Sequence, residues 1–440
     1  MTHHLQKVLS TLAIVLLLPF LSYAQNWVNG YSYRKKITIN KNKVSPTVII
    51  YGNGVTENKD LVDFPVLIEL TGDNLVHIPG DCGNKIQNAE GRDITFTLAG
   101  STTPLNFQLD SYDALTGKLT CWVKIPSLSA EGSPTTATSL YFYYGSATLH
   151  DPLSSAGFAT WSPDYTRIWH MNKDKPPASV KNARSNVVQQ ELAGNAMVDA
   201  GNFVDSKLAK GIMLDGQSES YGSGIENSTT LTISAWVKLK SIGTEQMIIA
   251  NDSSRLSGST TVVDGYKLKV NASGQPVFEL YRSSALTTSQ GTSFLLPNTW
   301  YYFCGQSTGE DISLAINGVK VAGRTGSTPR VGAGGSIKVG SSKQGGNFLN
   351  GEVDEVRIQT SVRKLEWLKT EYANQINPQE FYTISAEEYN PSVFTRFTGS
   401  KSNAWNDPAN WSNGSVPGVN ANIIIAAGKT ADLSSITMQV

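Results

Sequence analysis

The sequence predicts an all-β protein: two consecutive β-sandwiches, one short C-terminal helix and the start of a repeat or β-helix region. Three observations point there. Apolar and polar residues alternate with period two from residue 27 to about residue 388. Gly, Asn, Asp and Pro break that alternation at short intervals. Only one stretch after the N-terminal segment carries apolar residues at helical spacing. At 440 residues the chain also exceeds what a single core supports.

The first 24 residues read as a signal peptide. In "MTHHLQKVLSTLAIVLLLPFLSYAQ" Lys7 precedes an apolar run from Leu12 to Leu21, and Ser22 and Ala24 flank a cleavage point before Gln25. The run is short for a membrane span, and no later segment is apolar enough to cross one. The mature chain is therefore expected outside the cytoplasm. Lys+Arg and Asp+Glu are both 36, so the formal charge is zero, and no basic run is interleaved with aromatics. That disfavours nucleic acid as a partner and leaves uncharged polymers such as polysaccharides open. Cys121 and Cys304 alternate with apolar residues and read as small buried hydrophobes. A Cys82–Cys121 disulfide is the alternative that export permits.

Residues 26–150 form the first sandwich. Its strands are read in "YRKKITI", "FPVLIEL", "DITFTL", "LTCWVKIP" and "SLYFYYG". The segment 151–166 lacks alternation and is a connector. Residues 160–388 form the second sandwich, with "LTISAWVKLKS", "GYKLKVNASGQPVFELY", "TWYYFCGQ", "DISLAINGVKVAG" and "GEVDEVRIQ" as landmarks. Asn317-Gly318 supplies a tight hairpin turn. "SVRKLEWLKTEYANQINP" is the helix, with Ser361 as its expected cap and Val362, Leu365, Leu368 and Tyr372 as a packing stripe. Residues 389–440 open a Trp/Asn-rich region around Trp405 and Trp411, and the record is expected to be truncated there.

The run "WVNGYSYRKKITI" through "SLYFYYGSA" resembles an uncharacterised domain of bacterial and archaeal surface proteins. The second series of landmarks resembles a laminin-G-like, concanavalin-type jelly roll, and the tail resembles the opening of parallel β-helix repeats. These resemblances imply a location outside the cell, at the surface of a Gram-negative bacterium, and a role in adhesion or glycan binding.

"GEVDEVRI", residues 351–358, is where an enzyme of this fold class would carry its acids. Laminarinase-like relatives use E-x-D-x-E or E-x-D-x-x-E on one strand. Glu352 and Asp354 fill the first two places, but Val356 and Arg357 stand where the proton donor belongs. The stretch instead fits the non-catalytic laminin-G-like pattern, with Val356 and Ile358 facing the core and Glu355 and Arg357 paired on an outer face. His77, His150 and His170 lie in no catalytic pattern, and no G-x-S-x-G, H-E-x-x-H or phosphate loop is present. Laminin-G-like domains often hold a rim Ca²⁺; by position in that pattern Asp215 and Asp354 are the expected ligands. Sugar binding needs exposed aromatic platforms, and Tyr266, Tyr281 and Tyr302 are the candidates, beside Tyr301. Trp236 and Trp300 read as core. The expected function is thus non-catalytic recognition of a glycan or surface polymer. The alternatives are the non-catalytic part of a polysaccharide-degrading enzyme, or a passive spacer.

Overall fold

The computed structural model describes residues 27–434 apart from 51–55, 82–83, 150–157, 172–178, 181–191, 195–201, 218, 223–227, 229, 258, 283, 326–335, 343–345 and 419–420. The signal-peptide reading and Cys82 lie outside the described residues.

The first sandwich packs a four-stranded sheet on a three-stranded one. In the three-stranded sheet, Lys118–Leu128 lies between Leu61–Leu70 and Phe107–Asp113. The four-stranded sheet has the order Tyr382–Tyr389, Tyr33–Ile39, Ser139–Tyr144, Ile94–Leu98. Its edge strand therefore comes from the far side of the second domain, and Tyr33 pairs with both Tyr144 and Tyr389. The jelly roll is thus inserted in the first domain's topology. The boundary expected at residue 388 shifts accordingly: Tyr382–Tyr389 belongs to the first sandwich.

The second sandwich apposes a nine-stranded and an eight-stranded antiparallel sheet around Ile233, Val237, Leu268, Phe278, Phe303, Val353 and Ile358. Alternation does the sorting: Tyr266, Leu268 and Val270 go inward, while Lys267 and Lys269 go outward.

The helix spans Leu365–Ile376 and fits between the two domains. Ser361 does not cap it. Its Oγ donates to Asp164 instead, and Lys364 occupies the cap position without a side-chain bond. The buried face is largely polar: Thr370, Glu371, Asn374 and Gln375 lie beside Trp367 and Leu368. Asn374 accepts from the Leu67 N–H at 2.7 Å and donates to the Leu67 carbonyl at 3.0 Å, satisfying both backbone groups of one strand residue. Trp367, Leu368 and Phe381 join a core cluster that contains Phe64 and Cys121 of the first domain together with Cys304 and Ala315 of the second. One apolar cluster thus runs across the boundary.

Beyond residue 390, Phe394–Phe397 and Asn422–Ile425 pair in parallel. Trp411 packs edge-on against Trp405 with centroids 4.6 Å apart and donates its indole N–H to the Trp405 carbonyl.

Candidate functional site

The two outer faces of the jelly roll differ, and that difference locates the candidate site. The eight-stranded sheet turns its outer face to the helix and the first sandwich. Strand Asn350–Gln359 runs through it, buried along almost its whole length. Glu355 sits at a bulge in its pairing with Leu231–Leu239 and has φ +49°. One extra residue re-aims the chain: Val353, Val356 and Ile358 enter the jelly-roll core, while Asp354, Glu355 and Arg357 share the opposite side.

That side is sealed, not an outer face open to water. Glu355 is 0% and Arg357 1% exposed. Arg357 donates to Glu355 at 2.9 Å and to Glu371 of the helix at 2.9 Å. His170 Nδ1 lies 2.6 Å from Glu355 Oε1, and Nε2 lies 3.2 Å from Gln108 Oε1 of the first domain. Trp122 and Trp161 cover the Arg357 guanidinium, its carbon 4.3 and 4.9 Å from their ring centroids. Asp110, His170 and Glu355 can bring three ligand atoms within 4.8 Å of one another, the one such group among the described residues. Burial draws the imidazolium down, but Glu355 and Asp110 outweigh it and raise its pKa. Burial likewise pushes Glu355 up, and His170 and Arg357 bring it below the usual range. Both ring nitrogens of His170 already have protein partners, Nδ1 the Glu355 carboxylate and Nε2 the Gln108 carboxamide.

The expected calcium pair does not converge. Asp215 is exposed, accepts from the Gln217 N–H at 2.9 Å and stands opposite Asn350. Asp354 lies four positions further along that strand, about 13 Å away at strand rise. It is fully buried, with Oδ2 accepting from the Leu208 N–H. Burial, then the Glu355 charge, pushes its pKa well up. One ion cannot take both side chains. Glu352 pairs with Lys238 at 2.5 Å, so the partial E-x-D pattern lines no open cleft.

The tyrosines separate in the same way. Tyr302 is 1% exposed and donates to Glu371 at 2.9 Å beneath the first domain. Tyr266 is 0% exposed in the jelly-roll core. Neither can serve as a platform, a correction for both. Tyr301 packs against the same core and accepts from the Leu296 N–H. Trp236 is buried as expected; Trp300 is half-buried. Cys121 is a free, buried thiol, against the Cys82–Cys121 alternative.

Tyr281 remains, and it stands on the outer face of the nine-stranded sheet. Strands Thr260–Val270 and Pro276–Arg282 set Lys267 opposite Glu279 and Gly265 opposite Tyr281. Lys269 Nζ bridges Glu245 and Glu279, at 2.9 Å from each. Tyr281 donates to Glu279 at 3.0 Å, and Lys267 Nζ lies 4.8 Å from its ring centroid. Lys267 also meets Asp252 at 3.4 Å. Burial followed by the Glu279 charge raises the Tyr281 pKa, so the phenol keeps its proton and donates. Burial opposes charge on Lys269, but bonds from Glu279 and Glu245 win and raise its pKa. Beside this row, Asn251 is fully buried with neither side-chain polar atom bonded, and Asp252 Oδ1 is unbonded too. The face therefore carries an aromatic ring, two ammonium groups and three carboxylates, with Asp252 and Glu279 buried in ion pairs and Tyr281, Lys267 and Glu245 partly exposed. Glu245 and Glu279 are both tied to the Lys269 ammonium. Reading the alternation of "GYKLKV" through would have placed Tyr266 inward with Leu268 and Lys267 outward.

Residues 216–369 match the model of the concanavalin A-like lectin/glucanases superfamily, and residues 90–158 match that of a domain of unknown function, DUF2341. The chain carries a laminin-G-like domain after that domain. No curated protein matches it. Among solved structures it is similar to domain 4 of AbnA, a GH43 extracellular arabinanase from Geobacillus stearothermophilus, in complex with arabinotriose. Identity is 16%, with 48% of this chain and 98% of that one covered and a TM-score of 0.36. It is also similar to the binding domain of Paraclostridial Mosquitocidal Protein 1 (16% identity, 48% and 52% covered, TM-score 0.36). A third is the binding domain of botulinum neurotoxin serotype D (13% identity, 48% and 51% covered, TM-score 0.37). The chain spans about half the length of the two toxin domains. No described helix is long and apolar enough to cross a membrane.

Proposed function

We propose that the protein is an exported, surface-associated, non-catalytic glycan-binding protein of a Gram-negative bacterium, with the outer face of the nine-stranded sheet as its contact surface. One observation carries this reading. The eight-stranded sheet's outer face is closed by the helix and the first sandwich, whereas the nine-stranded face presents the partly exposed Tyr281, Lys267 and Glu245, braced by Lys269 and the buried Asp252 and Glu279. An aromatic face for the apolar side of a sugar ring, flanked by fixed donors and acceptors for its hydroxyls, is the chemistry that recognises a neutral polysaccharide. The superfamily matched by residues 216–369 includes lectins and supports the same reading. The first domain acts as a rigid buttress.

The test is a polysaccharide panel probed with the chain from Gln25 onward. Binding should appear for at least one neutral glycan and weaken about tenfold in Tyr281→Ala, the order of a lost stacking contact. No signal across the panel would remove the proposal, and release of reducing sugar would move the protein to the degrading enzymes. Calcium belongs to this reading only through Asp215, and repeating the panel with EDTA tests it.

A further inference from the structure

A second constellation lies in the first domain, remote from the glycan face and independent of it. Lys35 on strand Tyr33–Ile39 stands opposite Glu387 on Tyr382–Tyr389. Asn74, in the 3-10 turn Asp73–Leu75, reaches between them. Lys35 Nζ donates to Asn74 Oδ1 at 3.1 Å. Asn74 Nδ2 donates to Glu387 Oε2 at 2.8 Å and to the Tyr144 hydroxyl at 2.8 Å. Tyr144 also bonds Glu387, and Lys85 Nζ meets the other Glu387 oxygen at 2.5 Å. Tyr33, stacked on the buried Tyr144 ring with centroids 5.4 Å apart, walls the group.

An amine in contact with a carboxamide, and a carboxylate bonded to that carboxamide's other end and opposite the lysine in register, are the parts of an amide-exchange reaction. We propose that Lys35 and Asn74 join in an isopeptide bond, with Glu387 as the proton carrier. Glu387 takes one proton from the Lys35 ammonium. The freed lone pair adds to Asn74 Cγ, and the added nitrogen passes a second proton to Nδ2. The Cγ–Nδ2 bond breaks and ammonia leaves, taking the proton held on Glu387 to depart as ammonium. The product is a secondary amide, and no oxidant, metal or cofactor enters. Nζ already touches the carboxamide, so only rotation of the lysine's last torsions separates contact from attack. Burial draws the Lys35 pKa below that of an ordinary lysine, against the Glu387 charge and with Lys85 adding a smaller push, which favours the free amine. The bond would tie the domain's first strand to a turn 39 residues further on, the kind of loop closure a disulfide supplies elsewhere. Among the described residues both cysteines are free.

The experiment is the intact mass of the chain from Gln25, reduced and alkylated, followed by tandem mass spectrometry of its digest. The expected result is a chain lighter than its sequence by one ammonia, with a branched peptide joining Lys35 to Asn74. Lys35→Arg and Asn74→Ala should each lose the branched peptide and retain one ammonia more than the wild-type chain, and Glu387→Gln should leave the bond unformed. A wild-type chain at full mass overturns the proposal. So does a digest of the wild-type chain that contains no branched Lys35–Asn74 peptide, whatever ammonia is lost to pyroglutamate at Gln25 or a succinimide at Asn74.

Discussion

Arg357 of the jelly roll lies beneath Trp122 of the first sandwich, its guanidinium carbon 4.3 Å from the indole centroid, while its nitrogens hold Glu355 and Glu371. Neither domain builds this arrangement alone. The strand supplies the charge, the helix a second carboxylate and the first domain the lid.

Replacing Arg357 with Met should cost about 3–5 kcal/mol, because it leaves the buried Glu371 without its cation and Glu355 with His170 alone. Urea unfolding of the whole chain checks this. A loss below about 1 kcal/mol would mean that water reaches Glu355 and Glu371. The double variant with Trp122→Ala should cost less than the sum of the two singles, since both act on one contact.

His170 makes the same junction sensitive to pH. Its folded pKa is raised above the unfolded value of 6.5, through Glu355 and Asp110 against the effect of burial. The sign follows: the stabilisation is complete below pH 6.5 and is lost as pH rises from there through the raised folded value. The slope for this single proton approaches about 1.4 kcal/mol per pH unit at most. His170→Gln should flatten that segment of the stability–pH curve. An unchanged curve would show that folding does not shift the His170 pKa.

Gly265 tests the backbone of the glycan face. Its φ is +117°, and a Cβ there would stand 2.0 Å from the Asn251 carbonyl oxygen. Gly265→Ala should destabilise the chain by about 3 kcal/mol or more and weaken glycan binding with it, because Tyr281 lies opposite in register. Unchanged melting in this variant would refute the close approach.

Much of the candidate site was legible one strand at a time. "GYKLKV" and "PVFELY" alternate cleanly, and alternation alone puts Lys267, Lys269, Glu279 and Tyr281 on one side. The Lys267–Glu279 register needed the turn between the strands to be placed. The Asn251 and Asp252 side chains carried no signal, since an unbonded buried amide becomes visible only when its surroundings are known. The helix was legible only in part: Leu368 packs into the apolar cluster as expected, but Thr370, Glu371, Asn374 and Gln375 are buried beside it because they meet backbone and buried charge.

What the sequence determined by itself is local: an all-β chain, the strands of both sandwiches, and a closing strand with no carboxyl where bond cleavage would need one. Side-chain period and turn chemistry act over a few residues, so one chain suffices to read them. Tertiary structure decided which outer face is a surface at all. Tyr302, Glu355 and Arg357 look outward from their own sheet, yet another domain covers them. Strand Tyr382–Tyr389 completes a sheet begun some 350 residues earlier, as Arg34 and Glu388 show. Burial depends on what arrives from elsewhere in the chain, and no local pattern encodes that.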